Sequence, residues 1–258
     1  MELIHAVIYG IVEGVTEFLP ISSTGHLMIV SELLGNNSEF IKSFEIMIQL
    51  GAILAIVALY PKRLLTDQKT IIRIFAAFIP TAILGLISYQ FIKTYLLGNV
   101  AIVFVALFVG GLAILYLERM WKKSPATTPT LLLNELPLHR AALLGVMQCV
   151  AFVPGVSRSA MTIFGGMFLG LSRKEAVEFS FFLAVPTMGA ATLLDVVKNY
   201  QTFTSDNVTF LLVGFVTSFI VAILVARWLA HYIATNDFTW FGYYRIAIAV
   251  VGYFVFFY

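Results

Sequence analysis

The sequence predicts an all-α polytopic membrane protein with six transmembrane helices and two re-entrant helix–loop–helix hairpins, arranged as an inverted-topology repeat. Three observations support this fold class. The 258 residues are 60% hydrophobic and only 12% charged, about half the charged fraction of a soluble domain. The apolar residues occur in runs of about 20 without polar alternation, which is the length that an α-helix needs to cross a bilayer. Two shorter apolar stretches are broken by proline, glycine and hydroxyl residues.

The chain begins with one of these broken stretches, at residues 1–34. Its two apolar pieces flank Pro20 and a Ser-Ser-Thr-Gly run, and neither is long enough to span a bilayer. Irregular backbone at membrane depth has to face protein or a watery cavity, so a re-entrant hairpin is predicted. The stretch has no basic region and no cleavage site, and we expect no removable signal peptide. Three spans are predicted next, at about residues 43–60, 72–92 and 99–118.

Residues 141–171 repeat the opening arrangement, with a Pro-Gly pair and a Ser-Arg-Ser run between two apolar pieces. Three more spans are predicted at about residues 176–197, 208–230 and 240–258. Three crossings are an odd number, so the second half must be inverted relative to the first. Inverted repeats bring their broken helices together near the midplane of the membrane, where sites form.

The predicted organisation is a single membrane domain, residues 1–258. It divides into a first repeat at 1–118, a basic linker at 119–140 and a second repeat at 141–258. The linker and the loop between the first two spans are richest in Lys and Arg, so the positive-inside rule places both in the cytoplasm. The net charge of +2 gives no indication of a nucleic-acid partner, and the lone cysteine excludes an internal disulfide.

Glu13 and Glu17 are the first candidate functional residues. They are four positions apart and therefore share one face of a helix. Two carboxylates so placed repel each other, and burial raises the cost. A bound divalent cation such as Mg²⁺, shared with substrate phosphates, would relieve this, as would protonation of one carboxyl. The alternative is a helix end that faces the watery interface.

Ser22, Ser23 and Thr24 follow Pro20 at the position where a helix N-cap is expected. The free amides of a helix start attract anions, so these hydroxyls indicate a phosphate-binding loop. Plain capping is the alternative. His26 follows at once and could act as general acid or base, phosphate ligand or nucleophile, because imidazole titrates near neutral pH. A structural role for His26 is the alternative.

Arg158 is the corresponding candidate in the second broken stretch. Its planar guanidinium suits phosphate, and at this depth it needs an anionic partner, either the acidic pair or a substrate. Ser157, Ser159 and Thr162 flank it, the last two at helical spacing.

Taken together, the segments EGVTEFLPISSTGH and PGVSRSAMT resemble the two signature regions of the BacA-type undecaprenyl-diphosphate phosphatases. The resemblance extends over the whole chain in length, order and hydropathy. It implies an enzyme of the bacterial cytoplasmic membrane that removes the terminal phosphate of undecaprenyl diphosphate and so recycles the lipid carrier of cell-wall synthesis. It also implies a site that faces the extracytoplasmic side, a requirement for divalent cations and a contribution to bacitracin resistance.

The resemblance implies roles for the candidate residues as well. Glu13 and Glu17 would be the essential acidic pair, which would hold Mg²⁺ or Ca²⁺. The diphosphate would be bound by the hydroxyl and cationic residues of both stretches: Ser22, Thr24, Ser157, Arg158, Ser159 and Thr162. The preferred hypothesis has Ser23 attack the terminal phosphorus while His26 or Glu17 takes its proton. His26 itself and water stay open as nucleophiles.

A lipid flippase or transporter is the competing interpretation, since inverted repeats with broken helices are typical of transporters. A transporter, however, has no need to bring two carboxylates, a serine pair, a histidine and an arginine together. We therefore expect Glu17, Ser23, His26 and Arg158 to converge on one pocket that takes a polyisoprenyl diphosphate lipid. The sequence leaves the oligomeric state open, with a homodimer as one option.

Overall fold

The computed structural model describes residues 2–36, 38–96, 98–123, 130–199 and 207–258. Within these ranges the chain is helical, and its one β-type contact is an isolated bridge between Leu131 and Leu171. The α-helices in chain order are α1 Leu3–Thr16, α2 Ser23–Leu33, α3 Glu39–Leu59, α4 Pro61–Thr66, α5 Gln68–Phe91, α6 Val100–Lys123, α7 Leu138–Gln148, α8 Arg158–Phe168, α9 Arg173–Asn199, α10 Val208–Tyr232 and α11 Thr239–Phe257.

Six of these helices are long and apolar enough to cross a membrane: α3, α5, α6, α9, α10 and α11. This confirms the predicted multi-pass membrane protein and its number of spans. The helices α3 and α5 begin a few residues before the predicted spans because polar residues cap them. Ser38 Oγ accepts from the amide of Ile41 at 3.3 Å, and an oxygen of Asp67 accepts from the amide of Thr70 at 3.1 Å. Hydropathy alone does not detect such polar first turns.

Four short helices form two pairs, α1 with α2 and α7 with α8. In each pair the start of the first helix lies next to the end of the second. In the first pair, Asn36 Nδ2 lies 3.3 Å from His5 Nδ1, which joins the end of α2 to the start of α1. In the second, Arg140 Nη1 donates to the carbonyl of Leu169 at 3.1 Å. The segments where the chain reverses are called here the first tip, residues 17–22, and the second tip, residues 149–157.

Each helix pair packs against a long helix from the other half of the chain: α1 lies on α10, and α7 lies on α5. Glycines permit both close approaches. A Cβ on Gly10 would lie 2.6 Å from the carbonyl oxygen of Gly214, and one on Gly145 only 1.9 Å from that of Ala77. Each of these short helices therefore contacts the backbone of a long helix directly.

The first tip rests on a cluster of aromatic side chains from α9. Phe18 is fully buried and meets Phe181 edge to face, with ring centroids 5.1 Å apart. Phe179 and Phe182 are fully buried beside it. These buried aromatic side chains hold the first tip, including its first residue Glu17, inside the bundle.

The segment predicted as a linker, residues 119–140, is ordered on both sides of the undescribed residues 124–129. The helix α6 continues to Lys123, and a 3₁₀ turn at Leu133–Glu135 follows. Leu133 is fully buried, and its amide donates to Glu175 at 2.7 Å. The latter part of this segment is therefore docked on the start of α9.

Candidate active site

The helices α2 and α8 both start at a tip, and both are capped by a serine in an unusual backbone conformation. Ser22 has a φ of 73° and Ser157 a φ of 78°, and they are the only non-glycine residues with positive φ in the described ranges. Their hydroxyl oxygens accept from the amides of Gly25 at 3.4 Å and Ala160 at 3.1 Å. Such strain clusters at functional sites. The amides of the first turns have no intrahelical acceptor and favour anions.

An ion pair joins the first tip to the start of α8. Arg158 Nη2 donates to Glu17 Oε1 at 2.7 Å, and the two side chains are 16% and 3% exposed. Arg158 Nη1 donates to the carbonyl of Ser180 at 2.7 Å and to its hydroxyl at 3.1 Å. Nη2 also donates to Met188 Sδ at 3.7 Å, and the remaining donor, Nε, is buried and finds no hydrogen-bond partner in the described part of the chain.

Glu17 also connects Arg158 to a hydroxyl. Ser23 Oγ donates a short hydrogen bond to Glu17 Oε2, while Oε1 binds the guanidinium. One oxygen of the Glu17 carboxylate can therefore accept the proton of Ser23, while the other oxygen is bound by the guanidinium of Arg158. Nucleophilic catalysis requires such a hydroxyl and base within hydrogen-bond reach.

These groups open onto a cleft of about 210 Å³ between the tips. Most of its polar lining consists of predicted site residues; the lining is formed by Glu17, Ser22, Ser23, Thr24, Ala151, Phe152, Pro154, Ser157, Arg158 and Met188. Of the four residues expected to converge on one pocket, Glu17, Ser23 and Arg158 do so.

Ser159 and Thr162 lie behind the cleft lining. Ser159 Oγ donates to the carbonyl of Leu19 at 2.6 Å, a second direct link between the first tip and α8. Thr162 Oγ1 donates to the carbonyl of Arg158 at 2.9 Å and lies 2.7 Å from the hydroxyl of Ser180. Ser159 therefore fixes the start of α8 against the first tip, and Thr162 binds the backbone of Arg158 and its partner Ser180.

His26 is outside the cleft lining, and both of its ring nitrogens are engaged. Nδ1 lies 2.8 Å from the carbonyl oxygen of Ser22, and Nε2 lies 2.9 Å from the hydroxyl of Tyr244. A carbonyl can only accept, so in the neutral ring Nδ1 carries the proton and Nε2 accepts from Tyr244. This geometry ties His26 to the cap of α2.

Glu13 is fully buried one turn before Glu17, and neither of its carboxylate oxygens has a hydrogen-bond partner among the described residues. An ionised carboxylate in this position needs a cation. No group of three or more His, Cys, Asp or Glu that could hold a metal occurs in the described ranges. The donors fit a hard divalent cation, because such ions take oxygen ligands and commonly share one or two carboxylates with substrate phosphates.

Sequence reasoning missed three residues of this region. Ser180 accepts from Arg158, Tyr244 binds His26, and Arg245 lies fully buried against both tips. For Arg245 a signal was available, since an ionisable residue inside an apolar span indicates function by default. Serine and tyrosine in a span carry no comparable signal.

Comparison with known proteins adds an independent observation. The model of a family described as bacitracin resistance protein BacA matches residues 6–251. Three similar curated proteins are each named undecaprenyl-diphosphatase. The protein of Aquifex aeolicus (strain VF5) is 48% identical over 248 residues, 96% of both chains. That of Methylobacillus flagellatus is 47% identical over 260 residues, again 96% of both. That of Sulfurihydrogenibium sp. (strain YO3AOP1) is 49% identical over 254 residues, 98% of this chain and 99% of the relative.

Proposed function

We infer the activity of this chain from the family to which it belongs, that of the bacitracin resistance protein BacA. It is an integral membrane hydrolase that converts undecaprenyl diphosphate to undecaprenyl phosphate and phosphate; its relatives are named undecaprenyl-diphosphatase, and six of its helices can cross a membrane. Recycling of the lipid carrier for peptidoglycan synthesis and bacitracin resistance follow from the family. The structural observation that best supports this conclusion is the cleft, where Ser23 is hydrogen-bonded to Glu17 and Glu17 to Arg158.

We propose that both helix pairs are re-entrant and that the two halves form an inverted repeat. Each pair starts and ends at one place, which supports the first point. The equivalent packing of α1 on α10 and α7 on α5 supports the second, as do the two serine caps with nearly equal φ. Tips that enter from opposite faces would meet inside the membrane, and the diphosphate would reach them from the bilayer.

The enzyme belongs, on this proposal, to the bacterial cytoplasmic membrane, with the cleft accessible from the extracytoplasmic side. Arg73 Nε, in the second turn of α5, donates to the carbonyl of Leu136 at 2.6 Å. The two most basic segments therefore meet at one end of the bundle, which supports their common cytoplasmic assignment. The homodimer stays a prediction.

Substrate binding would use the groups that lack partners. A terminal phosphate oxygen would accept from Arg158 Nε and from the first-turn amides of α2 and α8. The hydroxyls of Ser22, Thr24 and Ser157 would contact the diphosphate, while Ser159 and Thr162 keep Arg158 in place. Charge clamping of this kind supplies most of the rate in phosphoryl transfer.

For the chemical step we propose that Ser23 Oγ attacks the terminal phosphorus and gives its proton to Glu17 Oε2. The new bond is Ser23 Oγ–P, and the anhydride P–O bond breaks with its electron pair leaving on undecaprenyl phosphate. Glu17 passes this proton to the departing undecaprenyl phosphate and is again a carboxylate. Water then attacks the phosphoserine while Glu17 accepts a proton from the water. The Ser23 Oγ–P bond breaks, Glu17 returns the proton to Ser23 Oγ, and phosphate leaves. The engagement of His26 Nε2 by Tyr244 supports Glu17 rather than His26 as the base.

We propose Glu13 and Glu17 as the protein ligands of Mg²⁺ or Ca²⁺. The unpartnered oxygens of Glu13 support this assignment. When bound, the cation neutralises charge on the diphosphate.

Phosphate release from undecaprenyl diphosphate by the purified protein in detergent tests the function. Wild type is expected to turn over, whereas a flippase would release no phosphate. Ser23→Ala should lose about 10⁴-fold or more of kcat, the scale of losing a nucleophile. Ser31→Ala is the matched control, because Ser31 lies on the same helix but binds Tyr9 and Glu45 outside the cleft lining. Absence of turnover by wild type would refute the function, and full turnover by Ser23→Ala would refute only the seryl nucleophile.

A further inference from the structure

Arg245, on α11, is a buried cation whose hydrogen bonds all go to backbone carbonyls. It is 0% exposed, and no carboxylate pairs with it in the described ranges. A guanidinium has five N–H donors, and five carbonyl oxygens receive them. Nε donates at 3.3 Å, Nη1 at 3.1 and 3.0 Å, and Nη2 at 3.0 and 2.8 Å, to Leu107, Pro20, Val156, Ala106 and Gly155 respectively.

These acceptors come from three separate segments. Pro20 belongs to the first tip, Gly155 and Val156 to the second, and the other two to α6. Burial of a charge is costly unless it is fully hydrogen-bonded, and the tip carbonyls of Pro20, Gly155 and Val156, which lie outside helices, would also be costly to bury without a donor. Arg245 satisfies both requirements at once, and only while the three segments stay together.

The surroundings of Arg245 are shaped for its guanidinium. A Cβ on Gly110 of α6 would lie 2.0 Å from Arg245 Nη2. The preceding residue, Tyr244, binds His26, whose other nitrogen binds the carbonyl of Ser22. The helix α11 therefore binds the second tip through two carbonyls, and the first tip directly at Pro20 and indirectly at Ser22 through Tyr244 and His26.

We propose that Arg245 is a positioning residue for catalysis: it sets the spacing of the two tips and thereby the placement of Ser23 and Glu17 relative to Arg158. This inference rests on the proposed phosphatase function. The carbonyls that Arg245 holds lie next to the caps, since Val156 precedes Ser157 and Pro20 is two residues before Ser22. A shift of either tip moves a helix start that binds the diphosphate.

The test uses Arg245→Lys and Arg245→Met in the full chain. Lysine keeps the charge but has three donors and no planar fork, and methionine keeps volume alone. We expect Arg245→Lys to lower kcat about 100-fold, the cost of misplacing reacting groups by about 1 Å. KM should stay within about threefold, because Arg158 and the hydroxyls still bind the substrate. The matched control is Arg73→Lys, which alters another arginine that donates to carbonyls, those of Leu136 and Lys69, and should keep wild-type kinetics.

A second measurement reports tip spacing without activity. Cysteines placed at Thr24 and Ala151, on opposite sides of the cleft in a Cys149→Ala background, are cross-linked with a short bifunctional reagent. The efficiency of cross-linking should fall in Arg245→Lys, because the distance between the tips changes, and should stay unchanged in Arg73→Lys.

Several results would overturn the proposal. A kcat within about threefold of wild type in Arg245→Lys would do so, as would unchanged cross-linking or an equal loss in Arg73→Lys. If Arg245→Met does not fold, Arg245→Lys decides. If neither folds while Arg73→Lys does, Arg245 supports the whole fold and the positioning role is wrong. If wild type releases no phosphate, the proposed function fails. The cross-linking still tests whether Arg245 sets the spacing of the two tips.

Discussion

Replacement of Glu17 by glutamine is the sharpest test of the cleft, because the two side chains have the same shape. The carboxylate accepts from Arg158 on one oxygen and from Ser23 on the other. Glutamine has one acceptor oxygen and one NH₂ donor. If its oxygen faces Arg158, Ser23 loses the acceptor for its proton, and if it is reversed, an NH₂ group faces the guanidinium.

The size of both effects can be worked from these contacts. Loss of a positioned general base lowers kcat by about 10²- to 10⁴-fold. Removal of one partner of a buried ion pair costs about 3–5 kcal/mol of folding free energy. The amide oxygen keeps one hydrogen bond to Arg158, and Ser180 keeps two more. We therefore expect a loss of stability of only about 1–3 kcal/mol in Glu17→Gln.

Phosphate-release kinetics and thermal unfolding separate the two effects. In the double variant Glu17→Gln, Arg158→Met the unpaired buried cation is gone, so part of the lost stability should return while activity stays low. A kcat of Glu17→Gln within about threefold of wild type would refute the role of Glu17 as base. A double variant no more stable than the single one would refute the assignment of the stability loss to the unpaired guanidinium.

Three further predictions concern packing, the metal and pH. Gly145→Ala should destabilise the protein by about 1–3 kcal/mol through overpacking, whereas Gly189→Ala, where a Cβ meets nothing within 4 Å, should be neutral or stabilising by thermal unfolding. EDTA should abolish phosphate release and Mg²⁺ or Ca²⁺ restore it, with Glu13→Gln requiring more metal; undiminished activity in EDTA would refute the metal. Burial raises the pKa of Asp237, between α10 and α11, but hydrogen bonds from Lys122 and Thr239 outweigh it and lower the pKa to about 2. The ionised Asp237 therefore stabilises the fold fully above its ordinary pKa of 3.8, and this stabilisation is lost as the pH falls through 2. The difference in Tm between wild type and Asp237→Asn should accordingly be largest at neutral pH and shrink in acid.

Much of the fold could be predicted from the sequence because its main signal is hydropathy. The six spans are apolar runs long enough to cross a bilayer. In lipid the backbone of such a run must satisfy its own hydrogen bonds, which favours a helix. The boundaries were less predictable, since Ser38 and Asp67 start helices in polar sequence. The docked turn at Leu133–Glu135 was not predictable at all, because it depends on the distant carboxylate of Glu175.

The candidate site, too, could be predicted only in part. The requirement of Arg158 for an anion was readable from its apolar surroundings, but the choice of Glu17 over Glu13 depends on three-dimensional placement. The contacts of Arg245 were beyond prediction for a different reason. Its partners are backbone carbonyls, which every residue carries and no sequence pattern marks.

The carbonyls held by Arg245 also bear on the biosynthesis of the protein. The chain is made from its N-terminus, so the first tip, α6 and the second tip all exist before α11 emerges from the ribosome. Until then the carbonyls of Pro20, Gly155 and Val156 lack the donor that Arg245 supplies in the finished protein. Unsatisfied polar backbone is costly in the bilayer. The insertion of α11 therefore satisfies both tips, and a chain truncated before α11 would keep these three carbonyls without their side-chain donor.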